Sequence, residues 1–276
     1  MAATMCACTS DDASEVTNNG EMVTVTLGFP DYQIMSFDDD GSAKTRAVAD
    51  VSTIASHLDI WITDDNTTTD YHQASGDTGF GSLTLTLNST KQYTIYAVAH
   101  RGSGAASLND GVISFADDKI THTFFYSHTF TPTKNMTLNC EMQRIVAMFQ
   151  FNTTDAVPDW CKAIRFSAFN VFDRWNVSTG GTHQVDRIST VNITSTHNDG
   201  TVTCNVYQIV SDVSTNHDIL VEALNAQGDV KESHLFEDVP LLNNHKTVAT
   251  GAFFTDAASS FMFKADDWAS DIDYAF

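Results

Sequence analysis

Residues 22–29 read MVTVTLGF, with Val23, Val25 and Leu27 on one side of an extended chain and Thr24 and Thr26 on the other. Successive side chains of a strand point to opposite faces, so this period of two predicts a strand with one face in a core and the other toward water. The same alternation returns at 58–63 (LDIWIT), 83–87 (LTLTL) and 92–99 (QYTIYAVA), where β-branched and aromatic residues dominate. Further strands are expected at 111–115, 121–130 and 137–152, the last unusually long, and after Pro158 at 163–172, 191–196, 201–209, 219–224, 247–255 and 261–264. Turn-forming pieces divide them, among them Gln227-Gly228-Asp229 and Asn198-Asp199-Gly200. The Asp199-Gly200 pair, between threonine-rich runs, is a hairpin signal. Helical periodicity is confined to 49–56, where Val51, Ile54 and Ala55 share a face. An all-β sandwich, rather than an α/β fold, is the expected class.

The chain has 276 residues, of which 42% are hydrophobic and 18% charged, which is enough apolar material for more than one core. Two domains are expected, 21–155 and 156–276, divided at the least patterned stretch, TTDAVPDW at 153–160. Residues 1–20 are short, small and acidic, and read as a leader remnant and tether. No run approaches the ~18–20 apolar residues of a membrane-spanning helix.

The 35 acidic residues against 14 basic ones give a formal net charge of −21. That charge repels nucleic-acid phosphates and anionic headgroups, so neither is an expected partner. Five cysteines (Cys6, Cys8, Cys140, Cys161 and Cys204) are too few and too irregular for a disulfide framework or a zinc site. At most one internal pair can form among the last three, and the spacing does not say which. Ten histidines include no HExxH, no HxH and no neighbouring cysteine cluster, and His57, His72 and His100 stand alone in the sequence. Asp38-Asp39-Asp40-Gly41 and Asp64-Asp65-Asn66 lack the alternating ligands and distal glutamate of a calcium loop. Gly102-Ser103-Gly104 is not a nucleophile elbow. No catalytic residue, metal or cofactor is therefore expected, and the protein is read as not an enzyme.

The opening MAATMCACTSDD resembles a truncated bacterial lipoprotein signal, with Met5, Cys6 and Ala7 ahead of an acylated Cys8 and with Asp11 and Asp12 behind it as in surface-exported lipoproteins. The alternative is a Cys-Ala-Cys without function in a leader. Several separated pieces resemble the fimbrillin family of type V pili. They are Lys44-Thr45-Arg46-Ala47; QYTIYAVAH at 92–100; CEMQRIVAMFQF at 140–151, with Arg144 and Ala147; VPLLNNHKTVATGAFF at 239–254; and the aromatic C-terminal segment. The position three before Arg144 is Glu141, where the family pattern has an apolar residue.

The resemblance implies two tandem transthyretin-like β-sandwich domains, made as a lipoprotein and held at the outer membrane or cell surface as part of a fimbrium. It implies cutting after Arg46 by an arginine-directed protease and loss of the strand at 22–29. A strand from another subunit then fills the groove, with Phe261, Phe263, Trp268, Tyr274 and Phe276 in the donor segment 259–276. The partners implied are other fimbrial subunits, joined by strand exchange, and the only membrane contact is the lipid anchor. Each feature has a plainer reading: Arg46 as one of several surface arginines, 22–29 as a permanent strand, the aromatics as closure of their own domain. A competing function is a surface lipoprotein that binds host glycans or proteins without polymerising, using an exposed tryptophan among Trp61, Trp160, Trp175 and Trp268. Trp61, inside an alternating strand, is expected in the core.

Overall fold

The computed structural model describes residues 20–29, 32–34, 47–49, 54–65, 67–211, 213, 215–255, 262–267 and 271–272. In chain order the strands are β1 (Met22–Gly28), β2 (Tyr32–Ile34), β3 (Ala47–Ala49), β4 (His57–Thr63), β5 (Thr68–Ala74), β6 (Ser82–Asn88), β7 (Tyr93–His100), β8 (Ser107–Asn109), β9 (Val112–Ser114), β10 (Phe124–Phe130), β11 (Met136–Asn139) and β12 (Gln143–Arg144). There follow β13 (Ala147–Thr153), β14 (Ala163–Asn176), β15 (Gly180–Asn192), β16 (Thr203–Gln208), β17 (Thr215–Leu224), β18 (Val230–Leu241), β19 (His245–Gly251), β20 (Met262–Asp267) and β21 (Asp271–Ile272). The protein is an all-β sandwich fold. No described helix is long and apolar enough to cross a membrane.

One sandwich faces the sheet β11-β1-β6 against the sheet β12-β10-β7-β4-β5. Alternation does what the sequence predicts here: Val25 and Leu27 from one sheet and Leu58, Ile60 and Ile95 from the other are fully buried in one cluster. The other sandwich faces β16-β13-β19-β20-β21 against β18-β17-β14-β9-β8, with β15 paired on β14. Its centre is four buried phenylalanines meeting edge to face. Phe166 lies 6.3 Å from Phe149 and 5.9 Å from Phe151, and Phe236 lies 6.0 and 6.1 Å from the same two rings.

A third cluster joins the two sandwiches, with Trp61 and Val98 from the outer face of the first meeting Ile113, Phe115, Ile145, Val146, Trp175 and Ile209. Trp61 is thus buried, but in this junction rather than with Ile60 and Ile62. Arg144 sits at the same junction, donating from Nε to His122 Nε2 at 2.9 Å and from Nη1 to Asn244 Oδ1 at 2.8 Å, with its guanidinium 5.0 Å from the Phe124 ring centre. Burial pushes His122 down to about 3, with the Arg144 and Arg101 charges adding to the effect.

Three sequence expectations come out differently. The long strand at 137–152 is three strands in three sheets, because one apolar run supplies three cores: Cys140 and Met142 the first, Ile145 and Val146 the junction, and Ala147, Phe149 and Phe151 the second. Alternation records burial but not which core receives it. The Asp199-Gly200 turn forms, with Gly200 at φ 82° donating to His197 O at 2.9 Å, yet β15 and β16 on either side belong to different sheets. Strands β5 and β18 and most of β15 were not foreseen, since each has at most one sheet neighbour along much of its length and exposes polar residues. Of the helical stretch expected at 49–56, residues 50–53 lie outside the described residues, and Ala49 ends β3.

Two segments cross the expected boundary at 155/156. Strand β13 pairs with β16 and β19, and the β8–β9 hairpin pairs through β9 with the far end of β14.

Candidate functional site: the bed of the first strand

Strand β1 is the middle strand of its sheet, antiparallel to β6 along its whole length and parallel to β11 from Val25 to Gly28. Its local sequence explains the placement: Val23, Val25, Leu27 and Phe29 fall on the core side and are buried, while Thr24 and Thr26 face outward. Fully burying side chains of this size contributes about 1.5–3 kcal/mol each. The strand's ends are tied as well. Ser89 N donates to Glu21 O at 2.8 Å, Phe29 N to Gly81 O at 2.8 Å, and Cys140 N to Gly28 O at 2.7 Å. Thr24 N donates to Asn135 Oδ1 at 2.8 Å, and the Thr26 and Thr84 hydroxyls pair at 3.2 Å.

Without β1, two consequences follow together. Strands β6 and β11 each present an unpaired backbone edge, and the core wall opens onto Leu58, Ile60 and Ile95. Cys140 lies at the end of this bed, fully buried; burial pushes its thiol up to about 11, against the opposing pull of its hydrogen bond with Tyr126. Tyr126 is raised in turn, by burial first and then by Cys140.

Of the residues singled out from the sequence, Cys8, Arg46, Phe261, Trp268, Tyr274 and Phe276 lie outside the described residues. Phe263 stands in β20, opposite Ala249 of β19, at the register of an antiparallel pair. Cys140, Cys161 and Cys204 are all free thiols in buried positions. Trp175 is buried in the junction, and Trp160 is 36% exposed with its ring edge-on to Phe254 at 6.0 Å.

A second constellation escaped the sequence reading. His57, His72 and His100, solitary in sequence, come together around Asp59 because β4, β5 and β7 are neighbours: His72 pairs with Asp59, and His57 with His100. Asp59 Oδ1 accepts from His72 Nδ1 at 2.7 Å and Oδ2 from His100 Nε2 at 3.0 Å, while His57 Nδ1 lies 3.5 Å from His72 Nε2. The one available signal was His57-x-Asp59, two residues on the same face of a strand.

Residues 107–275, beginning at the first residue of β8, match the family of unknown function DUF6562. The chain belongs to that family. Among solved structures it is similar to a candidate adhesin from Bacteroides ovatus, with TM-score 0.54 and 12% identity over 91% of this chain and 96% of that one. A candidate cell adhesion protein from Bacteroides ovatus matches with TM-score 0.52 and 12% identity over 92% and 99% of the two chains. A candidate polysaccharide-binding protein from Bacteroides thetaiotaomicron matches with TM-score 0.50 and 10% identity over 91% and 98%. At these identities the likeness speaks to fold. No curated protein matches the sequence.

Proposed function

We propose that this protein is a non-enzymatic adhesion subunit of a bacterial surface fimbria, assembled by β-strand addition at the bed of β1. The observation that carries the reading is the position of β1: a single N-terminal segment supplies the middle of a three-stranded sheet and one wall of a core. Removing it leaves a groove whose edges offer backbone donors and acceptors and whose floor takes apolar side chains at alternate positions, which are the requirements for an incoming strand. The adhesion reading is further supported by the fold shared with candidate adhesins. In this reading Cys8 carries the lipid that holds the chain at the outer membrane, Arg46 is the scissile residue, and residues 259–276 are the donor. In this reading the strands of the unit with the groove end with β12, and the second sandwich is built from the β8–β9 hairpin together with β13 and the strands after it.

Cutting with an arginine-specific protease tests this directly, with Cys140 as reporter. Wild type should be cut after Arg46, and on loss of β1 Cys140 should become reactive to a maleimide while Cys161 and Cys204 stay inert. A peptide of residues 259–276 should then restore protection, and Arg46→Ala should remain protected throughout. Identical fragments from both proteins, or a thiol that stays closed after β1 has gone, would refute the reading.

A second reading, glycan binding without polymerisation, is favoured by the exposed Trp160 beside Phe254, since sugar rings stack on exposed aromatic faces. Loss of glycan-array binding in Trp160→Ala, with the protease behaviour unchanged, would select it.

A further inference from the structure

We propose that His57 and His72 form a site for one divalent transition-metal ion of the zinc class, with Asp59 holding His72 in place from behind. The site lies on the outer face of the sheet that contains β4 and β5, away from the bed of β1.

The tautomers follow from the partners. A carboxylate only accepts, so His72 carries its proton on Nδ1, where Asp59 Oδ1 lies 2.7 Å away. Neutral His72 therefore presents the lone pair of Nε2, and that atom faces His57 Nδ1 at 3.5 Å. His100 is fixed differently: Gly102 N donates to its Nδ1 at 3.0 Å, so its proton is on Nε2 and goes to Asp59 Oδ2 at 3.0 Å. Both nitrogens of His100 are thus occupied, and the ring is fully buried. A side chain at Gly102 would put its Cβ 2.8 Å from His100 Nδ1, so glycine is needed for this backbone approach. Asp59 is itself buried and takes a third hydrogen bond, from Ala106 N at 3.0 Å.

The two imidazole nitrogens left over are spaced for a shared ion. Zinc–nitrogen bonds of ~2.0–2.1 Å at a tetrahedral angle hold two ligand atoms about 3.3 Å apart. The observed 3.5 Å, with ring centroids 5.2 Å apart, is close to that span. For an ion to enter, the proton between the two rings moves from His57 Nδ1 to His57 Nε2, the other tautomer of the same neutral ring. A buried carboxylate on the far nitrogen of a ligating histidine fixes its orientation and raises its basicity, and such support is worth about 10–100-fold in metal affinity. Imidazole nitrogen suits zinc, copper and nickel rather than calcium or magnesium. Among the described residues no group of three or more His, Cys, Asp or Glu side chains is placed to hold a metal ion, so water completes the coordination. The His72 side chain is 39% exposed, which leaves those positions open.

Titration calorimetry with zinc chloride on the whole chain should give one ion per chain. His57→Gln and His72→Gln should each weaken binding at least tenfold, and Asp59→Asn should weaken it by about 10–100-fold. His128→Gln, on an exposed strand position elsewhere, should leave it unchanged. An independent readout on wild type avoids any dependence on the folding of the variants: zinc should shift the imidazole resonances of His72 Nε2 and His57 Nδ1 and leave those of His100 in place. Absence of saturable binding, wild-type affinity in either histidine variant, or shifts confined to other histidines would overturn the proposal.

Discussion

The two sandwiches bury similar cores but are stitched in different ways. One sheet of the second is built on long antiparallel pairs: β14 with β15, and β17 with β18 across the tight turn at Asn225–Asp229, where Gly228 takes φ 83°. Those partners are close in sequence, so each pair closes a short loop and stands on local connections. The first sandwich closes its smaller sheet with β1, whose contact to the segment before β11, Thr24 to Asn135, spans 111 residues. A strand held mainly by long-range pairing can leave without unravelling its neighbours' own hairpins; β13 of the second sandwich is held in the same way but follows directly on β12 of the first, so β1 is the strand suited to exchange.

The largest test of that contrast is a matched pair of cavities. Phe166→Ala, at the centre of the phenylalanine quartet, should cost about 3–5 kcal/mol, and Leu27→Ala in β1 about 2–5 kcal/mol. The two losses should differ in kind. In denaturant titrations read by thiol labelling, Leu27→Ala should expose Cys140 before Cys204, because only the first sits at the bed of β1. Phe166→Ala should expose Cys204, its neighbour in the second core, first. Simultaneous labelling in both variants would mean that the sandwiches open as one unit and would remove the contrast.

The junction supplies an intermediate effect. Neutral His122 accepts from Arg144, and it is faced by the Arg144 and Arg101 charges and by the Tyr207 and Phe124 rings. Its folded value of about 3 lies below the ordinary 6.5 of the unfolded chain. The unfolded state therefore binds more protons between these values, and the contribution to stability is complete above pH 6.5 and declines as pH falls toward 3. By pH 5 the loss should reach about 1–2 kcal/mol. His122→Gln retains an acceptor for Arg144 and should flatten the fall in melting temperature between pH 6.5 and 4.5; an unchanged slope would assign the acid sensitivity elsewhere.

Sequence reading did well where one face of a strand meets one core. Residues 22–29, 58–63, 83–87 and 92–99 alternate because their surroundings do, and β1, β4, β6 and β7 lie within a residue or so of those stretches. It failed where burial is shared among cores, as in 137–152, and where a strand lies at an edge with little to bury, as in β5. That second failure hid His72, and with it the histidine–aspartate constellation, because a polar edge strand looks like a loop until its neighbour is known. The bed of β1 was visible in outline, since the apolar face of 22–29 had to pack on something. Its position between β6 and a parallel β11 depends on a pairing over more than a hundred residues, and no local pattern encodes that.

The smallest expected effect separates the outward faces of the two sandwiches. On the second, Arg165 Nε donates to Glu222 Oε2 at 2.7 Å between residues directly opposed on β14 and β17. On the first, beside the Asp59–His72 pair, three outward cross-strand pairs are hydroxyls: Thr26 with Thr84 at 3.2 Å, Thr63 with Thr68 at 3.0 Å, and Thr94 with Thr129 at 2.8 Å. A partly exposed ion pair contributes about 0.2–1 kcal/mol and is screened by salt, whereas a hydroxyl pair carries no net charge to screen. Glu222→Gln should therefore lower stability by no more than about 1 kcal/mol at low ionic strength, and the difference from wild type should vanish near 1 M salt. Thr84→Val should give a difference that salt leaves alone. If both differences faded together, the outer surfaces would be governed by the overall charge of −21 rather than by these individual pairs.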